Sequence, residues 1–417
     1  MTGTVHIVGA GVSGLAAAVT VTNHGRRAVV YEATQQAGGR CRSFYDKSLE
    51  ELIDNGNHAV FGANTHVFSY LSEINAKGEL TAVNESGDLP FVDCASGKRW
   101  TVRPGRGRIP LWIFDSRRRP PDTSLTDFGS ACRLLWARDD QRVGDVLEAS
   151  RPIWSRFWDP LCTAALNTRP DVASAALFGA VLWKLVASGG EGLRTYVAKT
   201  SLSDTFIAPA IKTLAEHGGI IHFNAPLKDI DISGDKTTLQ FRRDCLTIDS
   251  KDSVILCLPP WSKPISTVVG TGLSFTPSSI LNVHFKVECM NENSRVVGLV
   301  NSTAQWVFTR PGMASVTVSA SDQVLSEPSP TLIDTIWGEV MFALNIPDTA
   351  TPPHRVIAER RSTPVQDPSF AANRPSENTD HPNVFLAGDW MATGLPCTLE
   401  SAIMSGQKAA RLAMKVQ

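Results

Sequence analysis

The sequence predicts an α/β protein, a Rossmann-like nucleotide-binding domain with an inserted α+β domain, and three observations carry that prediction. A β-branched run from Thr4 to Val8 opens directly into Gly9-Ala10-Gly11-Val12-Ser13-Gly14 and then the helical, small-residue stretch Leu15-Ala16-Ala17-Ala18-Val19. Ala28-Val29-Val30-Tyr31 follows as a second buried strand and ends on an acid, Glu32, 18 residues beyond Gly14, as a dinucleotide fold requires. The 417 residues, 42% hydrophobic and 19% charged, suit a packed protein of two or three domains at about 150 residues each.

Within the first unit, Gly9 allows the tight turn, Gly11 lets a pyrophosphate approach the backbone, and Gly14 lets helix and strand pack closely. The helix N-terminus offers N–H donors to the phosphates, Glu32 meets the adenosine ribose hydroxyls, and Gly25 ends the helix. From about Asp88 to Pro121 the sheet pattern stops: Arg99, Arg103, Arg106, Arg108, Arg117, Arg118 and Arg119 surround the apolar Ile109-Pro110-Leu111-Trp112-Ile113-Phe114. Asp171 to Ala187 is apolar almost all round, which predicts a helix buried on every side or lining an apolar cavity. Phe206 to Glu216 reads as a helix, Ile220 to Phe223 as a strand, and Ser253 to Leu258 as a buried strand stopped by Pro259-Pro260. Ile280 to Ala320 alternates like antiparallel strands. A loop from Ser326 to Pro330, a helix from Leu332 to Leu344, a strand from Asn383 to Asp389 and a helix from Ser401 to Val416 complete the chain. Residues 1–87, 200–262 and 380–417 are expected to form the nucleotide-binding domain, and 88–199 with 263–379 the substrate domain.

Forty Lys+Arg against 41 Asp+Glu leave a net charge of −1, so nothing pulls the whole molecule toward nucleic acid, and no such partner is expected. Eight cysteines with no CxxC pair and no His-rich tract argue against a metal site and a disulfide framework and fit a reducing cytosol. The N-terminus lacks the basic and apolar regions of a signal peptide. The best apolar run, Val172 to Trp183, falls short of the roughly 20 residues of a spanning helix. The expected location is cytoplasmic, either soluble or peripheral on the inner face of the cell membrane.

Two further elements narrow the nucleotide to FAD. Gly38-Gly39-Arg40, then Arg42-Ser43, follow Glu32 at the spacing of FAD-binding amine-oxidase and carotenoid-desaturase proteins, and Arg40 is placed to neutralise pyrophosphate charge. Leu386-Ala387-Gly388-Asp389-Trp390 leads into Gly394-Leu395-Pro396-Cys397-Thr398-Leu399-Glu400 at the far end. Four strings then sharpen the likeness: Asp54-Asn55-Gly56-Asn57-His58, the run from Trp158-Asp159-Pro160 to Asn167-Thr168, Thr303-Ala304-Gln305-Trp306-Val307-Phe308, and Gly388-Asp389-Trp390-Met391-Ala392-Thr393-Gly394-Leu395-Pro396. On these the chain resembles, over essentially its whole length, the squalene-associated FAD-dependent desaturase family of the amine-oxidase/phytoene-desaturase superfamily. It departs at Asn57, where the family usually has Gln, and at Gly62-Ala63-Asn64, where a Gly-Cys-Tyr-like string is usual.

The resemblance implies an FAD shell of Gly9, Gly11, Val12, Ser13, Gly14, Glu32, Ala33, Gly38, Gly39, Arg40, Asn57, Leu227, Gly388, Asp389 and Leu399, with Asp389 on the ribityl chain. It implies reductive removal of the hydroxyl of hydroxysqualene to give squalene, a step of bacterial squalene and hopanoid biosynthesis. Such a reaction needs a hydride, departure of hydroxide as water, and shelter for positive charge on an allylic carbon. Trp154, Phe157, Trp158, Trp306 and Phe308 are the candidate aromatic faces, each worth about 0.5–2 kcal/mol by cation–π attraction, or else ordinary core. His58 is the expected acid, since the Asp54 to His58 segment lies near the flavin in the family fold. Asp54 reads as a turn residue or a partner of Arg40. The Arg99 to Arg119 stretch either inserts Trp112, Ile113 and Phe114 at a membrane interface with arginines on anionic head groups, or is a solvated loop. NAD(P)H or a separate reductase is the expected electron donor. A carotenoid-type polyene desaturase and a non-catalytic flavin-containing prenyl-lipid carrier are the alternatives.

Overall fold

The computed structural model describes residues 3–83, 87–105, 107, 109–233, 236–270, 273–287, 294–326 and 331–416; Arg106, Arg108 and most of the 326–330 loop lie outside them. Strands rich in Val and Ile, apolar on both faces, build a five-stranded parallel sheet in the order Ile220–His222, Ala28–Tyr31, Val5–Val8, Ser253–Leu256, Val384–Leu386. A parallel sheet must be covered on both sides. The helix Val12–Asn23 covers one side together with the C-terminal helix Leu399–Ala413. The two helices approach closely because a Cβ at Gly406 would lie 2.1 Å from the Ser13 carbonyl oxygen. Gly25 takes φ +71° just past the first helix, as its position predicts.

The second large element is a seven-stranded mixed sheet in the order His354–Pro364, Pro277–Lys286, Met313–Ser319, Trp306–Arg310, Arg295–Val300, Leu89–Asp93, Arg99–Val102. Its strands alternate. Leu281, Val283, Phe285, Ala314, Val316 and Val318 face the helix Leu332–Leu344, whose Ile336, Trp337 and Val340 complete a core of their own. The opposite residues of the same strands face the nucleotide-binding region.

The stretch read as an all-round buried helix is Ala175–Ala187, and it differs from the expectation: Trp183 and Val186 are exposed, and Lys184 reaches across to the buried Glu400 carboxylate. The strand Thr195–Ala198 falls in the expected substrate segment 88–199, yet it pairs with Val60–Phe61 and Leu80–Ala82 of the expected nucleotide-binding segment. Two π-helical turns, Trp154–Trp158 and Ser203–Ile207, each precede a helix with a proline in its first turn, Pro160 and Pro209. Proline has no N–H for the carbonyl four residues back, so the turn before it is free to widen.

Candidate active site

The glycine motif forms an open cradle. Gly9 takes φ +103°, where a Cβ would meet the Cys257 carbonyl oxygen at 2.5 Å, and a Cβ at Gly14 would strike the Gly9 oxygen at 1.9 Å. Gly11 is different: a Cβ there meets nothing within 4 Å, and this residue caps the Val12–Asn23 helix with no side-chain bond to the first N–H groups. The loop therefore presents free donors and empty space at a helix N-terminus, an anion site. Glu32 is held rigidly at the strand end, Oε2 accepting from Ala10 N–H and Oε1 from Thr34 N–H and hydroxyl, each at 2.9 Å. Ala225 N–H donates to the Glu32 carbonyl at 2.8 Å, which brings the start of the Leu227–Ser233 strand beside it. Gly38 bridges to Gly11, and Gly39 lies 3.5 Å from the Gly11 Cα by its would-be Cβ. Arg40 donates to the buried Asp389 carboxylate at 2.7 Å and to the Ser362 carbonyl. Leu399 begins the C-terminal helix, capped by Thr398.

Strand register lays a graded surface across the substrate sheet. Trp100 pairs with Phe91, Phe91 with Gly298, Gly298 with Trp306, Trp306 with Thr317, and Thr317 with Asn282. Gly298 is the gap that lets its neighbours meet, since a Cβ there would lie 2.5 Å from the Phe91 ring and 3.2 Å from Trp306. Phe91 stacks on Trp100 at 5.7 Å and meets Trp306 edge-on at 5.6 Å. Phe157 closes over Phe91 at 6.2 Å, with Trp158 tilted against it at 4.9 Å. The indole N–H groups of Trp100, Trp158 and Trp306 are buried with no hydrogen-bond partner among the described residues. Buried donors are ordinarily satisfied, which sets these three apart from the rest of the core.

The row turns polar toward the cradle. Asn57 Nδ2 donates to Thr317 Oγ1 at 3.0 Å, and Thr317 Oγ1 donates to Asn282 Oδ1 at 2.9 Å. One row over, Phe308 lies beside Ser315, and Ser315 bonds His284 Nδ1 at 2.8 Å, leaving His284 Nε2 buried near the Asp54 backbone with no close partner among the described residues. Asp54, Asn57, His58, His284, Phe308, Arg310 and Ser315 line one small cavity here. Burial, reinforced by the Arg40 charge, pushes the His58 imidazole down to about 4, and burial likewise takes His284 to about 4. Burial pushes the Asp54 carboxyl up, against bonds from Ser43 Oγ at 2.6 Å and Leu202 N–H at 2.9 Å.

Residues 12–304 and 354–414 match the family described as flavin containing amine oxidoreductase. The chain is 39% identical over 414 residues to the hydroxysqualene dehydroxylase of Sinorhizobium fredii, covering 98% of each chain. It is 37% identical to that of Rhodopseudomonas palustris, over 99% of each. The chain belongs to the hydroxysqualene dehydroxylase family of flavin-containing amine oxidoreductases. An oxidoreductase of Methanosarcina mazei has the same fold, with TM-score 0.74 at 14% identity over 98% of this chain and all of that one.

FAD is the cofactor of this family, and the cradle fits it: the vacant face of Gly11, the uncapped N–H groups of Val12, Ser13 and Gly14, and the fixed Glu32 carboxylate are the contacts a dinucleotide takes. Ala33 follows Glu32 on the exposed side of the same turn. The glycine, Glu32, Gly38–Arg40 and Gly388–Asp389 elements converge on one region. Among the aromatics, Phe157, Trp158 and Trp306 share one buried cluster, and Trp154 and Phe308 pack on its edge, Phe308 also lining the polar cavity. Two expectations are corrected. Arg40 pairs with Asp389, leaving Asp54 to Ser43 and Leu202. Trp112 and Ile113 turn inward, Trp112 meeting Phe128 edge-on at 5.4 Å, while Phe114 stays exposed. Sequence reading missed Phe91, Trp100 and His284, although the alternation of Asn282, His284 and Lys286 with apolar neighbours marks a polar inner face.

Proposed function

We infer that this chain removes the hydroxyl of hydroxysqualene, giving squalene. The observation that carries the reading is the single surface that grades from Trp100, Phe91 and Trp306 to Thr317, Asn282 and the Asp54–His284 cavity. It matches a long hydrocarbon bearing one hydroxyl. The C–O bond breaks, a hydride equivalent joins the allylic carbon, and the hydroxyl takes one proton and leaves as water. FAD held by the Gly9–Gly14 loop and Glu32 would, in its reduced form, provide that hydride and with it the two electrons the step consumes.

The chain's residues account for the rest. His58, the group expected to be the acid, is a neutral imidazole near pH 7 and serves as a hydrogen-bonding group. Asp54, whose carboxyl is raised by burial, is the proton source for the departing hydroxyl. His284 Nε2 orients that hydroxyl. Trp306 and Phe308 shelter the allylic charge, while Trp154, Phe157 and Trp158 enclose the prenyl chain and exclude water. Electrons reach the flavin from NAD(P)H or a separate reductase. The squalene product dissolves only in an apolar phase, so the protein works on the cytoplasmic side, at the inner face of the cell membrane.

The test is anaerobic: the yellow protein is reduced, mixed with hydroxysqualene in detergent, and followed at about 450 nm, a general flavin property, with lipid extraction. Reoxidation with stoichiometric squalene is expected. A flavin that stays reduced beside unchanged alcohol overturns the reading. Hydride flow from a polyene to oxidised flavin would instead identify a desaturase, and binding without any absorbance change a carrier.

A further inference from the structure

A second cavity, of 760 Å³, lies at the edge of the seven-stranded sheet formed by Leu89–Asp93 and Arg99–Val102. Arg99, Arg103, Arg117, Arg119 and Arg295 line it, with Asp88 as the acid among the described lining residues and Phe91 and Trp100 in its floor. Arg117 is steadied by Asp115 at 3.0 Å, and Arg103 has a looser pairing to Asp88 at 3.6 Å. Arg119 donates from Nη1 to the Ile113 carbonyl at 3.1 Å, and its Nε is buried without a partner among the described residues. An unsatisfied guanidinium N–H in a cavity of like charges calls for an anion, and arginine's fork suits a phosphate.

Beside this basic cavity lies an exposed apolar surface. Ile109 is 71%, Leu111 65% and Phe114 66% exposed, on the turn that the Arg119–Ile113 bond ties to the cavity rim. That turn rests on the helix Leu125–Ala131 through Trp112 and Phe128. The helix runs on into Cys132–Trp136, which packs along Ala175–Ala187, where Gly179 fits beneath the Leu134 carbonyl. Trp136 at 78% and Trp183 at 58% extend the apolar surface over these elements. Large exposed apolar areas mark interaction sites, but protein interface cores are depleted of charge. Tryptophans and aliphatics rimmed by arginines fit a bilayer with anionic headgroups.

We propose that this face docks on an anionic bilayer, seating a lipid phosphate among Arg103, Arg117 and Arg119 while Leu111, Phe114, Trp136 and Trp183 enter the acyl boundary. The cavity floor is the start of the Trp100–Phe91–Trp306 row, so docking sets the aromatic end of the substrate surface at the membrane. A prenyl chain then passes between bilayer and site without crossing water. The cargo rests on the dehydroxylase reading; the docking does not.

Flotation of the FAD-loaded protein with phosphatidylcholine vesicles, with and without phosphatidylglycerol, tests this. Binding is expected only with the anionic lipid. R103E/R117E and L111S/F114S should each weaken it by about tenfold or more, with turnover of detergent-dispersed hydroxysqualene unchanged, and Phe223→Ser, an exposed site elsewhere, should leave flotation intact. Equal binding to neutral vesicles, or unaltered binding by both double variants, overturns the proposal. Saturable binding of inorganic phosphate with no flotation assigns the cavity to a free anion and also overturns it. Flotation by a protein that shows no turnover sinks the dehydroxylase reading and leaves the docking standing.

Discussion

The two large sheets do their work in opposite ways. The parallel sheet is apolar on both faces, and its function lies at the strand ends, in loops such as Gly9–Gly14 and Gly388–Asp389. The seven-stranded sheet buries one face under the helix Leu332–Leu344 and works through the other, where cross-strand neighbours form a graded surface. In the first, a ligand is held by backbone at fixed sequence spacing. In the second, it is held by side chains that meet only through strand register.

The sharpest way to break that contrast is at the glycines. Gly14→Val should abolish both folding and flavin binding, because its Cβ would strike the Gly9 oxygen at 1.9 Å. Gly11→Val has room, with nothing within 4 Å of its Cβ, so it should yield a folded protein, unchanged in circular dichroism, that purifies without yellow colour. A folded, yellow Gly11→Val protein would move the pyrophosphate elsewhere.

On the other sheet, Asp54→Asn keeps an acceptor for Ser43 and Leu202 but removes the proton. It should lower kcat by about a hundredfold or more with flavin content intact. The wild-type rate should fall as pH rises through the elevated Asp54 value, and the variant should lose that dependence.

Stability should respond in the opposite direction. His58 and His284 are depressed to about 4 from 6.5, so between those values the unfolded chain binds more protons. Their stabilisation is complete above about pH 6.5 and is lost as pH falls toward 4, by about 3 kcal/mol each at most. Melting temperature at pH 5 against pH 7.5 checks this, and His284→Gln should flatten the difference.

The smallest effect tests the gap in the row. Gly298→Ala places a methyl 2.5 Å from the Phe91 ring, and overpacking of this kind costs about 1–3 kcal/mol. Melting should drop modestly and KM for hydroxysqualene should rise more than kcat falls.

The same division decides what the sequence made legible. Gly9, Gly11, Gly14 and Glu32 are readable because a cradle for phosphate needs backbone freedom at fixed intervals within one βαβ unit. Trp306 is visible as an aromatic, yet its ring partner Phe91 comes from a distant segment and meets it across Gly298, with Trp100 stacked on Phe91 in turn. Nothing local announces that pairing. His58 stood out over Asp54 as an acid by residue type alone, whereas burial, which depresses one and raises the other, is a property of the assembled fold. The exposed Trp183 was hidden by an apolar pattern that reads the same whether a helix faces core or membrane.

The contact of Gly406 with Ser13 has one further consequence. The first helix depends on Leu399–Ala413: Arg26 donates to the Met414 carbonyl and Ser253 to that of Ala413, at 3.1 Å each, so the layer behind the phosphate loop is missing until residues 399–414 have been made. Contacts of such sequence separation form late. The flavin cradle is thus completed only once the Leu399–Ala413 helix is available to back the first one.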